Sequence, residues 1–288
     1  MTERAEPTTG RAGAPETANS PVGGPAGGEP AAHHREQQPL PTQKRGRGRG
    51  LRTFAKALAA VIVVLALLSV LVVGLLRWLD PPTSAFMLEH WAAATWAGEP
   101  RPRVHHEWVD ADAIPPAVAL AAVAAEDQRF PQHGGFDLVQ VKKALADFEA
   151  GGRLRGASTI SQQTAKNLFL WPGRDPVRKV LEVWLTWVIE TLWPKQRILE
   201  VYLNIAQFGP HTFGVGAASW RFFDRPAVAL TATEAAQLAA VLPNPERYRV
   251  EAPSATVQRR TRWILRQMRQ LGGTRYLDGV WPAAHGTG

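Results

Sequence analysis

The sequence of 288 residues contains no cysteine, which excludes disulfide bonds, a thiol nucleophile and a thiolate metal site. It also lacks HExxH, a Walker loop and GxSxG, so nothing supports a zinc protease, a P-loop nucleotide hydrolase or an α/β-hydrolase. Neither Ser-x-x-Lys nor Lys-Thr-Gly occurs, which excludes the serine acyl-transfer site of penicillin-recognising enzymes. Alternating strand patterns are scarce beyond residue 80, and the sequence therefore predicts a mainly α fold.

Acidic residues are missing from the segment that carries most of the excess positive charge. The formal net charge is +8, and six Lys and Arg residues lie within 44–56, which leaves about +2 for the rest. A nucleic-acid-binding domain would spread its basic residues over the folded part, so we expect no nucleic-acid partner. The basic cluster is instead typical of the flank of a membrane segment.

Residues 57–76 are twenty consecutive residues without a charge. As a helix they would span about 30 Å, the thickness of the hydrocarbon core of a bilayer. A signal peptide is the alternative, but its apolar region is shorter and ends in a cleavage site, whereas Arg77-Trp78 follows here. The sequence predicts a single retained span with the basic, N-terminal side in the cytoplasm.

The segments on either side of the span have different characters. Residues 1–43 are rich in Pro, Gly and Ala with few large apolar side chains, which predicts a disordered tail. Beyond the span we expect helices near 116–126, 137–149, 159–169, 178–192, 195–204, 233–242 and 256–271.

One predicted helix ends in two carboxylates, Glu126 and Asp127, with Phe130 and His133 close behind. The simple interpretation is a helix that leaves the core and meets water. The functional interpretation is a carboxylate whose pKa is raised at the edge of an apolar wall, as suits a general base near neutral pH. His133 would then bind the local backbone.

A second polar cluster begins at a predicted capping box formed by Thr159 and Gln162. Thr159, Gln163 and Lys166 are spaced to share one helix face, which would attract an anion at the helix start. A solvated, capped helix is the alternative. Further along, Arg178 and Glu182 are an i,i+4 pair, and taken alone they are expected to form a surface ion pair that contributes little to stability.

Together these residues resemble glycosyltransferase family 51, the peptidoglycan glycosyltransferases, over residues 85–271. Five ordered motifs carry the resemblance. They are Glu126-Asp127-x-x-Phe130-x-x-His133-x-Gly135, Gly156-x-Ser158-Thr159-Ile160-x-Gln162-Gln163-x-x-Lys166-Asn167, Arg178-Lys179-x-x-Glu182, Lys195-x-x-Ile198-Leu199-Glu200-x-Tyr202-Leu203-Asn204 and Phe213-Gly214-Val215-Gly216-Ala217-Ala218. Small departures occur at Ser161, Gln207, Trp220 and Phe222.

The resemblance implies a lysozyme-like fold with a membrane-dipping lobe, preceded by one transmembrane helix. It implies domains at 1–52 (disordered basic cytoplasmic tail), 53–79 (anchor) and 80–288 (extracytoplasmic glycosyltransferase). The implied reaction polymerises lipid II with inversion into β-1,4-linked glycan and releases undecaprenyl pyrophosphate. Lipid II and the nascent strand are the implied partners, and a transpeptidase or proteins of the division or elongation machinery are expected ones. The sequence requires no cofactor and predicts no metal ligands, although some family members bind Mg²⁺ or Mn²⁺ at the substrate pyrophosphate.

The resemblance also implies roles for individual residues. Glu126 would remove the proton of the acceptor, Lys166 and Arg178 would neutralise the pyrophosphate, and Glu182 would position the acceptor or hold a cation. The residues expected to bind substrate are Asp127, Phe130, His133, Ser158, Thr159, Gln162, Gln163, Asn167 and Lys179. A glycan-cleaving relative would not need Lys166 and Arg178, and a silent scaffold would not need the intact set.

Two surface features remain open between alternatives. The apolar side chains of Phe136, Leu138, Val139 and Val141, followed by Lys142-Lys143, would dip into the headgroup layer of a membrane or pack as an ordinary amphipathic helix on the core. For Trp184 and Trp187, which are i,i+3 neighbours, we expect core packing. The basic amphipathic segment 259–270 is expected to pack on the domain with its other face in solvent.

Overall fold

The computed structural model describes residues 47–98, 104–151, 158–173 and 175–282. The chain divides into a unit that ends at Thr53 and a unit that begins at Phe54, and the account below concerns the second. Most of the predicted tail lies outside the described residues.

The described chain is mainly α-helical, as predicted. Its ten α-helices, in chain order, are α1 (Arg47–Leu75), α2 (Ala85–Trp96), α3 (Pro116–Glu126), α4 (Leu138–Glu149), α5 (Ile160–Phe169), α6 (Pro176–Leu192), α7 (Lys195–Ile205), α8 (Val215–Phe223), α9 (Ala232–Val241) and α10 (Ala255–Gln270). Helices α2 and α8 were not predicted. The limits of the predicted helices agree to within one or two residues, except that α1 begins at Arg47, so that residues 47–52 are helical.

A small sheet, which the sequence did not predict, packs beside the helices. Its strands are β1 (His105–His106), β2 (Gln207–Gly209) and β3 (Thr212–Phe213), in the spatial order β1-β3-β2. β1 runs parallel to β3, and β2 runs antiparallel to it with an irregular register. Strands of two or three residues are too short to produce a periodic sequence pattern.

Helix α3 is the centre of the fold. Pro116 occupies its first turn, where the missing N–H has no cost, and every residue from Val118 to Ala124 is buried. Its alanines let α9 and α10 approach closely, while α5 packs between α6 and α7. The C-terminal end of α3 therefore points out of a fully apolar helix toward α5.

One helix of the described chain, α1, is long and apolar enough to cross a membrane, by length and composition alone. Its C-terminal turns are built into the domain. The indole of Trp193 donates to the carbonyl of Val73 at 2.7 Å, and that of Trp184 donates to the hydroxyl of Ser69 at 3.0 Å. Arg197 donates to the carbonyls of Leu76 and Leu79 and pairs with Glu200 at 2.8 Å.

Arg197 thus satisfies two carbonyls of the segment that directly follows α1. We expect Arg197→Met to lower the free energy of unfolding by about 3 kcal/mol, since buried carbonyl and carboxylate oxygens would lose their donor. Denaturant unfolding of the full chain in detergent measures this. Arg225→Met is the control, because Arg225 makes only exposed contacts, an ion pair with Glu234 at 3.4 Å and a hydrogen bond to the carbonyl of Phe223 at 3.3 Å. Equal losses in the two variants would contradict the prediction.

Helix α4 does not pack on the core through its apolar face. None of its residues is buried, and Leu138 is 66 % exposed, so packing on the core is wrong. The apolar face of α4 instead lies open, together with Leu145 and Phe148. Sequence periodicity identifies an apolar face but does not say whether another element covers it.

The two tryptophans of α6 differ from each other. Trp184 is partly buried and packs against the core, as expected, but Trp187 is 54 % exposed, so its expected core packing is wrong. Its neighbours Thr186, Val188 and Ile189 are buried, so Trp187 lies on the outward face of α6. By contrast, α10 packs as predicted through Val257, Ile264 and Met268.

Candidate active site

Glu126 is the last residue of α3 and stands at the edge of its apolar wall. Its side chain is 15 % exposed, and its two oxygens accept from Arg260 Nη2 at 2.9 Å and from Gln163 Nε2 at 3.1 Å. Burial raises the pKa of Glu126, while Arg260, Gln163 and Lys166 oppose the rise. The carboxyl group therefore has the electrostatic environment of a base for neutral pH.

The adjacent carboxylate of Asp127 is buried and holds the loop after α3. Both of its oxygens accept from His133 Nε2, at 2.9 and 3.0 Å, and Oδ2 also accepts from the backbone N–H of Ile160 at 3.0 Å. The N–H of Gly135 donates to His133 Nδ1 at 3.2 Å, which assigns the ring proton to Nε2. The predicted contact of His133 with the local backbone is present.

Gly135 closes this loop against α6 and α5. Its φ is +89°, and a Cβ atom there would lie 2.9 Å from the side chain of Glu190. Its carbonyl accepts from the hydroxyl of Thr159 at 2.6 Å. A glycine is thus required at this position by both conformation and space.

The start of α5 differs from the predicted anion site. The capping box of Thr159 and Gln162 is present as predicted, but both side chains are buried and engaged in it. The carboxylate of Asp127 already occupies the helix N-terminus through Ile160. Thr159 therefore does not share an open polar face with Gln163 and Lys166, because as cap residue it turns toward Gly135. Ser158, directly before the cap, is exposed.

Lys166 lies one turn beyond Gln163 on α5 and faces the same region. No carboxylate of the described residues lies within 4.0 Å of its Nζ, which sits 5.4 Å from the ring centre of Phe86. Burial is the largest influence on the pKa of Lys166 and lowers it. The carboxylates of Glu182 and Glu126 raise this pKa, and the positive charges of Arg178 and Lys179 lower it further. Beside it, the Oδ1 atom of Asn167 is buried without a hydrogen bond in the described chain.

The first turns of α6 carry the second group of charges. Glu182 accepts from Arg178 Nη1 at 2.7 Å and from Lys179 Nζ at 2.6 Å. The expected surface ion pair is wrong: the side chains of Arg178 and Glu182 are 9 % and 4 % exposed. Packing of α6 on α5 buries the pair and brings it within electrostatic range of Lys166.

The structure thus brings together Glu126, Gln163, Lys166, Arg178 and Glu182 from three helices. The loop residues Asp127, Phe130 and His133 support this group from behind, with Phe130 fully buried under the ammonium of Lys195 at 4.4 Å. Ser161 donates to Glu190, and Glu200 accepts from the backbone of Ala111. Glu190 and Glu200 therefore have structural roles in the described chain.

The sequence did not identify two further residues that contact this group. Arg260 of α10 pairs with Glu126 across 134 positions, and no local signal separates it from its arginine neighbours. Tyr202 of α7 is buried and donates to Gln163 Oε1 at 3.4 Å. Burial and the nearby Glu126 raise the pKa of the Tyr202 hydroxyl well above its usual range. Tyr202 stands within a quoted motif, which was the available signal.

The donor set does not fit a metal ion held by the protein. Within the described ranges, no three His, Cys, Asp or Glu side chains are placed to share one ion. Both oxygens of Glu182 are already engaged by cationic side chains. No chemical step is therefore assigned to Mg²⁺ or Mn²⁺.

Comparison with known proteins identifies the family of the chain. A family model described as "Transglycosylase" matches residues 94–269. The chain is 52 % identical over 227 residues to a biosynthetic peptidoglycan transglycosylase of Xylella fastidiosa, covering 77 % of this chain and 92 % of that protein. It is 54 % identical over 220 residues to one of Cronobacter sakazakii, covering 76 % and 91 %. A third, from Xanthomonas campestris, is 53 % identical over 236 residues, covering 82 % and 96 %. The chain belongs to the transglycosylase family.

Proposed function

We propose that this chain is a peptidoglycan glycosyltransferase that polymerises lipid II into linear glycan strands for the cell wall. The observation that carries the proposal is that Glu126, a partly buried carboxylate, lies within electrostatic range of Lys166, which in turn lies within range of Arg178 and Glu182. A proton acceptor faces positive charge, which is what transfer of a sugar from a pyrophosphate requires.

In the proposed reaction, the 4-hydroxyl of the N-acetylglucosamine of lipid II attacks C1 of the donor N-acetylmuramic acid. Glu126 takes the hydroxyl proton as the new C1–O bond forms. The bond from C1 to the pyrophosphate oxygen breaks with inversion, and undecaprenyl pyrophosphate leaves with the electron pair. Lys166 and Arg178 stabilise the charge that grows on the pyrophosphate, so that no strong acid is needed.

The remaining residues would act around these groups. Lys166 has no ion-pair partner in the described chain and would bind a phosphate directly. Arg178 and Lys179 are paired with Glu182, which would hold them in place and orient the acceptor. Gln163, Asn167 and the exposed Ser158 would contact sugar or phosphate oxygens. Asp127, Phe130, His133, Thr159 and Gln162 would support the site through the loop and the helix cap.

The membrane arrangement is part of the proposal. Helix α1 would cross the cytoplasmic (inner) membrane once, with the N-terminus in the cytoplasm and the catalytic domain periplasmic or otherwise extracytoplasmic. The open apolar face of α4, with Lys142 and Lys143 beside it, would enter the headgroup layer and receive a lipid-linked substrate. A transpeptidase is a natural partner, because this chain would make strands without cross-linking them.

The function is tested by incubating the full chain in detergent with labelled lipid II. We expect a polymer that muramidase digests to disaccharide units. A glycan-cleaving relative would instead shorten preformed strands and leave lipid II unchanged, and a scaffold would do neither. Either of these results would overturn the proposal.

The orientation is tested separately by protease treatment of sealed inverted membrane vesicles. We expect residues beyond 80 to be protected and the N-terminal tail to be removed. Digestion of the domain from the cytoplasmic face would reverse the proposed topology.

A further inference from the structure

The two oxygens of Glu126 are held from opposite sides by residues distant in sequence. Arg260 of α10 donates to Oε1 at 2.9 Å, and Gln163 of α5 donates to Oε2 at 3.1 Å. An ionised carboxylate offers about four acceptor positions, so two remain for a substrate hydroxyl. The carboxylate is therefore fixed in orientation but not saturated.

The charge of Arg260 is directed at Glu126 alone. Among the carboxylates of the described chain, only that of Glu126 lies within 4.0 Å of the guanidinium. Nη2 also approaches the carbonyl of Ala125 at 3.5 Å, and the group sits 5.9 Å from the ring of Trp263. The side chain of Arg260 is 27 % exposed, whereas its neighbour Arg259 is exposed and donates to the hydroxyl of Thr256.

We propose that Arg260 is a positioning residue of the polymerisation reaction, which fixes the carboxylate of Glu126 and keeps it ionised in an apolar setting. The inference rests on the proposed function, because Glu126 needs to be ionised only if it acts as the base. Arg260 need not touch either sugar to have this effect.

The electrostatic balance around Glu126 supports this role. Burial raises its pKa, and Arg260 is the largest opposing influence, ahead of Gln163 and Lys166. The other titratable groups nearby are Tyr202 of α7 and the adjacent Asp127. An arginine beside a carboxyl group typically lowers its pKa by about one to three pH units. Without Arg260, the base would be protonated over a wider range of acidic and neutral pH.

The test is the pH dependence of kcat/KM for lipid II, which reports the ionisation of groups in the free enzyme. The full chain in detergent is compared with Arg260→Gln, Arg260→Lys and the control Arg259→Gln. Because activity falls as Glu126 becomes protonated, we expect the acidic limb of the profile to move upward by about 1–2 pH units in Arg260→Gln, with activity recovering at higher pH. Arg260→Lys keeps the charge and should keep the limb, as should Arg259→Gln.

An acidic limb that does not move in Arg260→Gln would overturn the inference. A uniform fall in activity at every pH would also overturn it, because that result marks Arg260 as only structural. If Arg260→Gln does not fold, Arg260→Met takes its place, because it preserves the apolar stem and is expected to show the same displacement of the acidic limb. An acidic limb that moves in Arg260→Lys as well would contradict a role for the charge. Failure of the wild-type chain to make polymer would refute the proposed function itself, whereas polymer with an unmoved limb refutes only the role of Arg260.

Discussion

Replacement of Glu126 by glutamine is expected to lower the rate of glycan polymerisation by about 10²–10⁴-fold, the range for a lost general base. The amide fills the space of the carboxylate and can still contact Gln163 and Arg260, but it cannot accept a proton from the attacking hydroxyl. We expect a large effect because burial raises the pKa of Glu126 above the usual value of a glutamate, which makes its carboxylate a stronger base. Initial rates with purified, labelled lipid II measure the loss.

The matched control for this change is Glu251→Gln. Glu251 is exposed and forms no hydrogen bond or ion pair in the described chain, so its variant should polymerise at the wild-type rate. The melting temperature of both variants checks that the fold is retained. Near-normal synthesis by Glu126→Gln would remove this residue from its proposed role as base.

Replacement of Lys166 by methionine is expected to lower turnover by about 10²–10³-fold, as for the loss of one electrostatic stabiliser of a transition state. Methionine keeps much of the length and apolar character of the lysine stem but has no charge to offer a pyrophosphate. Since Lys166 has no carboxylate within ion-pair distance in the described part of the chain, its charge is available to the donor. Single-turnover rates and donor affinity for a preformed glycan strand measure the effect.

The melting temperature of Lys166→Met shows whether its loss of activity comes from the missing charge or from a damaged fold. Burial lowers the pKa of Lys166, so the ammonium group is destabilising in the folded state at neutral pH. Lys166→Met should therefore melt at the same temperature as the wild type or higher, while its activity falls. Lys166→Arg, which keeps the charge, should lose less activity than Lys166→Met. Unchanged donor affinity and turnover in Lys166→Met would contradict a role at the pyrophosphate.

Local features of this fold were predictable because their partners lie within a few residues. The capping box of Thr159 and Gln162 uses two groups three positions apart, and it forms as predicted. Pro116 stands in the first turn of α3 for a reason contained in its own ring. The apolar length of α1 is likewise a property of consecutive residues.

The sequence did not correctly predict which of these side chains are buried in the folded domain. The pair of Arg178 and Glu182 was found at its expected spacing but inside the protein, because α5 covers that side of α6. Trp187 and the apolar face of α4 were found exposed, because no described element covers them. Periodicity defines a face, and only the arrangement of the other helices decides what meets it.

The sequence by itself determined eight of the ten described helices, the capping box of Thr159 and Gln162, the apolar segment and most of the residues that could do chemistry. Tertiary structure alone decided that Arg260 reaches Glu126, that Tyr202 stands behind Gln163, and that Asp127 rather than a substrate occupies the start of α5. The physical reason is the separation along the chain of the groups that interact. Backbone hydrogen bonds and caps close within one helical turn, whereas these three contacts join residues that are 134, 39 and 33 positions apart.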